Sequence, residues 1–250
     1  TLDMANSDKL SDFRQDALRL GIEVVPPSVM TSFRDFEVGE NRIYYSLAAI
    51  KGVGDAAVEH IVEKRLEKPF ESLDDFAQRI DPKVVGKRVF ESLIMAGALD
   101  CFGRDRARMM AGVEAIMGAA AFAQASASSS QIDIFGAGGA AGRPETIRLP
   151  QADAWLPAER LHREFQAVGF YLSAHPLDEY RTTLEKLRVQ NWSDFSAAVK
   201  RGATAGRLAG TVTGKVERKT RTGNKMGVIQ LSDTSGQFEA VLFSEGLAQY

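Results

Sequence analysis

Ile50-Lys51-Gly52-Val53-Gly54-Asp55-Ala56-Ala57-Val58-Glu59-His60-Ile61 is the stretch that decides the fold. An apolar residue, two glycines one residue apart, and apolar positions at 57, 58 and 61 describe a tight hairpin that runs straight into a helix. The glycines permit positive φ and keep side chains off the backbone amides. Those amides and the positive end of the helix can grip a phosphate oxygen, with Lys51 as a second contact. Contacts of that kind read the backbone of a nucleic acid and not its bases. The plainer alternative is a tight interhelical turn and nothing more. A dinucleotide site is disfavoured, because a third glycine and a strand–helix–strand unit are both missing.

Working outward, helices are predicted near 55–66, 72–79, 86–97 and 104–118, separated by Lys68-Pro69, Asp81-Pro82 and Asp100-Cys101-Phe102-Gly103. A second hairpin is expected at Ile94-Met95-Ala96-Gly97-Ala98-Leu99, after the basic pair Lys87-Arg88, which can equally be a solvated helix surface. Towards the start, Asn6 or Ser7 caps a helix ending at Gly21. Pro26-Pro27 forces extended backbone, and Phe36 to Leu47 reads as a short β-hairpin. Gly118 to Pro144 is dominated by Gly, Ala and Ser, with Asp133 and Arg143 its only charged residues. Such a stretch reads as a flexible linker, apart from an Ala-rich start that can extend a helix. Within it, Gln131-Ile132-Asp133-Ile134-Phe135 combines a rim hydrogen-bonder with apolar anchors. That is what a peptide docking in an apolar pocket of a sliding clamp presents, unless the cluster folds back on its own helices. Order resumes with helices near 157–167 and 177–187. Runs 207–217, 226–232 and 237–243 then alternate with period two, a β-meander. Lys215, Arg218, Lys219, Arg221 and Lys225 crowd the loop between its first two strands. In a small barrel such a loop meets single-stranded nucleic acid, and on an ordinary surface it only solubilises.

The 250 residues carry 31 Lys+Arg and 33 Asp+Glu, a net charge of −2, which excludes a wholly basic nucleic-acid binder. The total hides a balance of −5 in residues 1–100 (13 basic, 18 acidic) and +3 in 201–250 (7 basic, 4 acidic). Cys101 is the only cysteine, so neither an internal disulfide nor a Cys-rich zinc cluster is possible. The expected home is a reducing cytoplasm. His60, His162 and His175 are scattered, and no catalytic constellation emerges. The opening on Thr1, and three strands where a five-stranded barrel is expected, suggest a piece of a longer protein.

Taken in order, seven runs resemble one family, the alpha subunits of bacterial DNA polymerase III, the replicative C-family polymerases. They are 20–27 (LGIEVVPP), 49–54 (AIKGVG), 68–73 (KPFESL), 93–98 (LIMAGA), 131–136 (QIDIFG), 169–178 (GFYLSAHPLD) and 223–226 (GNKM). Ser46 and Ala48 stand where the family usually has glycines, Gly86 where Asn is common, Ile134 for Leu and Ala174 for Gly. The resemblance implies an α+β multi-domain fragment: a mainly helical tandem helix-hairpin-helix region followed by an incomplete OB-type β-barrel. Residues 1–32 would end the fingers region, and 33–117 would be the tandem DNA-binding region. Residues 118–150 would be the linker with the clamp-binding peptide 131–135, 151–204 a helical connector, and 205–250 the start of the OB domain. Lys51, Gly52, Val53, Gly54, Lys87, Arg88, Arg218, Lys219, Arg221 and Lys225 would touch DNA. Gln131, Asp133, Ile134 and Phe135 would bind the sliding clamp, and other replicase subunits would be partners. The catalytic aspartates and their Mg2+ would lie upstream, leaving no cofactor in this segment. A non-enzymatic adaptor between DNA and clamp fits the same residues. A ligase fits worse, since its OB barrel usually precedes the hairpins and no adenylylation lysine motif is visible.

Overall fold

The computed structural model describes residues 3–4, 6–128, 146–219 and 225–243. In chain order its first elements are α1 (Ser7–Arg19), β1 (Glu23–Val25), β2 (Glu37–Gly39), β3 (Arg42–Tyr44) and α2 (Asp55–Glu67). There follow α3 (Leu73–Arg79), α4 (Lys87–Ala96), a 3-10 turn at Asp100–Phe102, α5 (Arg106–Ala111) and α6 (Val113–Ser128). Next come α7 (Pro157–Val168), a 3-10 turn at Pro176–Tyr180, α8 (Arg181–Lys186) and α9 (Trp192–Lys200). Strands β4 (Thr211–Lys219), β5 (Lys225–Asp233) and β6 (Gly236–Leu242) end the described chain. The helical region followed by a partial β region agrees with the fold class read from the sequence. Contacts divide the chain into two units: Thr1–Ala5 with Ile22–Phe170, and Asn6–Gly21 with Tyr171–Tyr250. No described helix is long and apolar enough to cross a membrane.

In the first unit, β3 lies between β1, parallel to it, and β2, antiparallel to it. Asn41 makes the β2–β3 turn at φ 58°, a region that Asn tolerates better than most residues. The helices bury their apolar stripes around Phe76, which is fully buried. Its ring centroid lies 4.9 Å from Phe70, 5.7 Å from Phe90 and 5.6 Å from Phe102. Helix α3 starts where predicted, with the Ser72 side chain accepting from Asp75 N at 3.1 Å, and Asp74 and Asp75 suit the positive helix end.

The helix expected over 104–118 is two helices broken at Gly112. A Cβ there would lie 2.6 Å from Leu149 Cδ2, so the break lets the irregular segment from residue 146 pack against the chain. That segment is fastened by Ile147 N donating to Asp74 Oδ1 and by Arg108 Nε donating to Pro150 O at 3.4 Å. Helix α6 continues past Gly118 to Ser128, so the Ala-rich start of the expected linker is helical.

The turn at 94–99 is a core element. Gly97 adopts φ 81°, and Gly97 N to Ile94 O (3.1 Å) with Ala98 N to Leu93 O (2.8 Å) form a Schellman cap on α4. Ala98 and Leu99 are fully buried. The turn falls where the second hairpin is expected, between α4 and the 3-10 turn at Asp100–Phe102. Beside the cap lies the buried Arg106. It bonds Asp100 through Nε (2.8 Å) and Nη2 (2.6 Å), and Met95 O through Nη1 (3.1 Å). Glu164 of α7, 1% exposed, approaches Nη1 at 3.9 Å.

In the second unit, β4, β5 and β6 form the expected antiparallel meander. Helix α9, which the sequence reading passed over, starts at the Asn191 side chain, which accepts from Asp194 N at 2.8 Å. Trp192 stacks on Phe238 at 4.9 Å and 9°. The helix expected over 177–187 is a 3-10 turn followed by α8. The proline-led turn is capped by His175. His175 Nδ1 accepts from Leu177 N at 3.1 Å, so in the neutral ring the proton sits on Nε2 and faces Ser232 Oγ at 3.2 Å. Asp233 Oδ1 accepts from Ser235 N, Ser235 Oγ and Gly236 N, a turn-forming role. His175, Ser232 and Asp233 are therefore a structural set, with Nδ1 already taken by backbone.

Burial lowers the His175 pKa below the ordinary 6.5, against the opposing pull of Asp178 and Asp233. The unfolded chain thus takes up the proton first as pH falls. The contribution of this ring to stability is full above pH 6.5 and is lost as pH drops through the lowered folded value. Thermal unfolding between pH 7.5 and 5.5 checks this: His175→Gln is expected to flatten that part of the decline. An unaltered pH slope in the variant would contradict the assignment.

Candidate nucleic-acid interface

The hairpin at 50–54 is built by one turn bond and one anchor. Val53 N donates to Ile50 O at 3.1 Å with Gly52 at φ 83°, the pattern of a type II turn, where the third residue must tolerate positive φ. Lys51 N donates to Ala167 O at 2.8 Å, tying the hairpin to the end of α7. Val53 points its side chain into the core, while Lys51, Gly52 and Gly54 are exposed. Gly54 is the N-cap of α2, offers no side chain, and has nothing within 4 Å of where a Cβ would stand. Among the described residues, the amides of Gly52, Gly54, Asp55 and Ala56 make no backbone hydrogen bond. They form an outward donor surface at the positive end of a 13-residue helix. Lys51 forms no ion pair with any described residue.

Lys87 and Arg88 are the first two residues of α4 behind another glycine N-cap, Gly86, again without a side-chain cap. Cations at a helix start oppose its dipole. Lys87 is paired with Glu114, which raises its pKa, whereas Arg88 is exposed and has no ion-pair partner among the described residues. Gly86 is thus a second glycine-capped helix start, with Gly97 closing the same helix.

The basic run of the meander is mostly strand. Lys215, Arg218 and Lys219 lie in β4, with Arg218 opposite Met226 and Lys219 opposite Lys225 of β5. Residues 215–219 and 225 are all exposed, and β6 pairs with β5 only from Gly227 onward. The two basic strand ends thus reach beyond the third strand. Arg221, and with it Gln131, Asp133, Ile134 and Phe135, lies outside the described residues.

Three residues at the hairpin escaped the sequence reading. Arg34 Nη2 reaches Asp55 Oδ2 at 3.0 Å, and this hydrogen bond raises the pKa of the guanidinium. Fully buried Ser46 donates from Oγ to Arg34 O and accepts from Ala49 N at 3.1 Å. Only the unusual Ser46, in place of a glycine, was a signal, and its partner lies 12 positions away. Among the described residues no group of three or more His, Cys, Asp or Glu is placed to hold a metal ion.

The helix-hairpin-helix motif family matches residues 21–109, the span from β1 into α5. The DNA polymerase III subunit alpha of Caulobacter vibrioides is 38% identical over 248 residues, 99% of this chain and 21% of that protein. Its namesake in Vibrio cholerae is 37% identical over 254 residues, 100% of this chain and 22% of that protein. That of Bacillus subtilis is 36% identical over 250 residues, 98% of this chain and 21% of that protein. The chain spans about a fifth of the length of the curated relatives it matches. A helix-hairpin-helix match around the exposed glycine hairpin, and similarity along the whole of this chain, together make it a homologue of one part, about a fifth of the length, of the bacterial DNA polymerase III alpha subunits.

Proposed function

We propose that the protein carrying this chain performs DNA-templated DNA synthesis, and that these residues are part of its grip on DNA and on the sliding clamp. Similarity along the whole chain to polymerase alpha subunits carries the reading. The open amides at Gly52 and Gly54–Ala56, with Lys51 beside them, suit a phosphate of duplex DNA, and Arg88 at the second glycine-capped helix start suits another. Gln131, Asp133, Ile134 and Phe135 are the clamp-binding peptide. Residues 205–250 begin an OB-type domain in which Arg218, Lys219, Arg221 and Lys225 bind single-stranded template. Catalytic aspartates with Mg2+, other replicase subunits and a cytoplasmic, nucleoid-associated setting complete the picture.

The mechanism is processivity by tethering. A clamp encircling DNA and a peptide bound to it hold the polymerase near the primer end, so moderate single affinities suffice. Primer extension by the full-length protein tests the tether, with and without clamp. The double variant Gln131→Ala, Phe135→Ala is expected to lose at least tenfold of the clamp-dependent gain in product length, while synthesis without clamp is unchanged. Equal stimulation of variant and wild type would overturn the clamp assignment.

A further inference from the structure

We infer that Arg34 is an additional phosphate-contacting residue of the hairpin, held at the start of α2 by Asp55 and Ser46. The inference rests on the hairpin being a DNA site and extends it to a residue that lies 21 positions before Asp55 in the chain.

Three bonds lace the segment carrying Arg34 to the hairpin. Leu47 N donates to Phe33 O at 2.9 Å, Ser46 Oγ donates to Arg34 O, and Arg34 Nη2 donates to Asp55 Oδ2 at 3.0 Å. Ser46 Oγ also accepts from Ala49 N, at the turn that opens the hairpin, so one hydroxyl fixes both the Arg34 backbone and that turn. A glycine at position 46 has no group to do this. The guanidinium therefore has a defined place beside the first residue of α2, and its side chain is 45% exposed.

Charge gives this position a function. Asp55 sits among the amides that would receive a phosphate, and its carboxylate repels one. Arg34 neutralises it through one nitrogen, with Asp35 3.6 Å from another. A guanidinium has five N–H donors, and the Asp55 bond uses one of them, leaving donors for a phosphate oxygen. The arrangement turns an acidic helix start into one that accepts an anion. Lys51 and Arg34 then supply two cations to the same hairpin.

The test uses the full-length protein and fluorescent duplexes of unrelated sequence, with affinity measured across about 50–200 mM KCl. Arg34→Ala is expected to weaken binding several-fold and to reduce the slope of log K against log salt by about one. Arg34→Lys should restore most of that slope. The double variant Arg34→Ala, Asp55→Ala separates contact from neutralisation. A slope still reduced by about one supports phosphate contact. Full recovery of wild-type affinity and slope would mean that Arg34 only cancels Asp55, and would overturn the inference. Lys51→Glu is the control for the site itself. A slope change with Lys51→Glu and none with Arg34→Ala overturns the inference alone, whereas no change with either overturns the hairpin as a DNA site.

Discussion

Arg106→Ala is expected to lower the stability of the helical unit by about 3–5 kcal/mol, the range for breaking a buried, hydrogen-bonded ion pair. The guanidinium makes a two-pronged contact with Asp100, bonds the Met95 carbonyl at the end of α4, and lies beside the buried Glu164. Alanine keeps none of these and opens a void where α4, α5 and α7 meet. The same crowding explains Gly97: a Cβ there would stand 2.0 Å from Arg106 Nη2, so only glycine admits both the left-handed turn and the guanidinium. Urea unfolding followed by helical circular dichroism gives the answer. A loss below about 1 kcal/mol, the size of an exposed pair, would contradict the role assigned to Arg106.

Phe76→Ala carries a similar cost, about 3–5 kcal/mol for removing a buried aromatic ring. Phe76 is fully buried and meets three other rings, two of them edge-on at 85° and 69°. Its helix also bears Asp74, which holds the chain just after the glycine-rich segment through Ile147 N. The loss should therefore reach that attachment as well as the core. Phe76→Leu, which keeps most of the volume, is expected to cost under about 2 kcal/mol. Equal midpoints for the alanine variant and wild type in urea would show that the rings do not form the centre of this unit.

Local signals foretold local structure. The helix predicted from residue 72 begins at the Ser72 cap, Gly21 marked the end of α1 at positive φ, and period-two alternation marked β4 to β6. Features set by distant partners were illegible. The break at Gly112 depends on Leu149, and nothing local to Glu23–Val25 says that it pairs with β3 of the expected hairpin. That the turn at 94–99 packs into the core was illegible for the same reason. An apolar-Gly-apolar turn looks alike whether it faces water or a buried arginine, and Arg106 decided it. At the candidate site the glycines and Lys51 were visible because their spacing is local. Arg34, Ser46 and Asp55 meet only after folding. The basic cluster was placed in a loop because charge suggests exposure. β4 satisfies that exposure while remaining a strand, with residues 215–219 all in solvent.

The hairpin as a sequence-independent grip on duplex DNA is tested most directly by the salt dependence of binding in the full-length protein carrying Lys51→Glu. Several duplexes of unrelated sequence are compared with the wild type. The predicted result is a loss of affinity of the same size on every duplex, with the log–log salt slope reduced by about one to two. A loss that varies with base sequence, or an unchanged slope, would contradict the account.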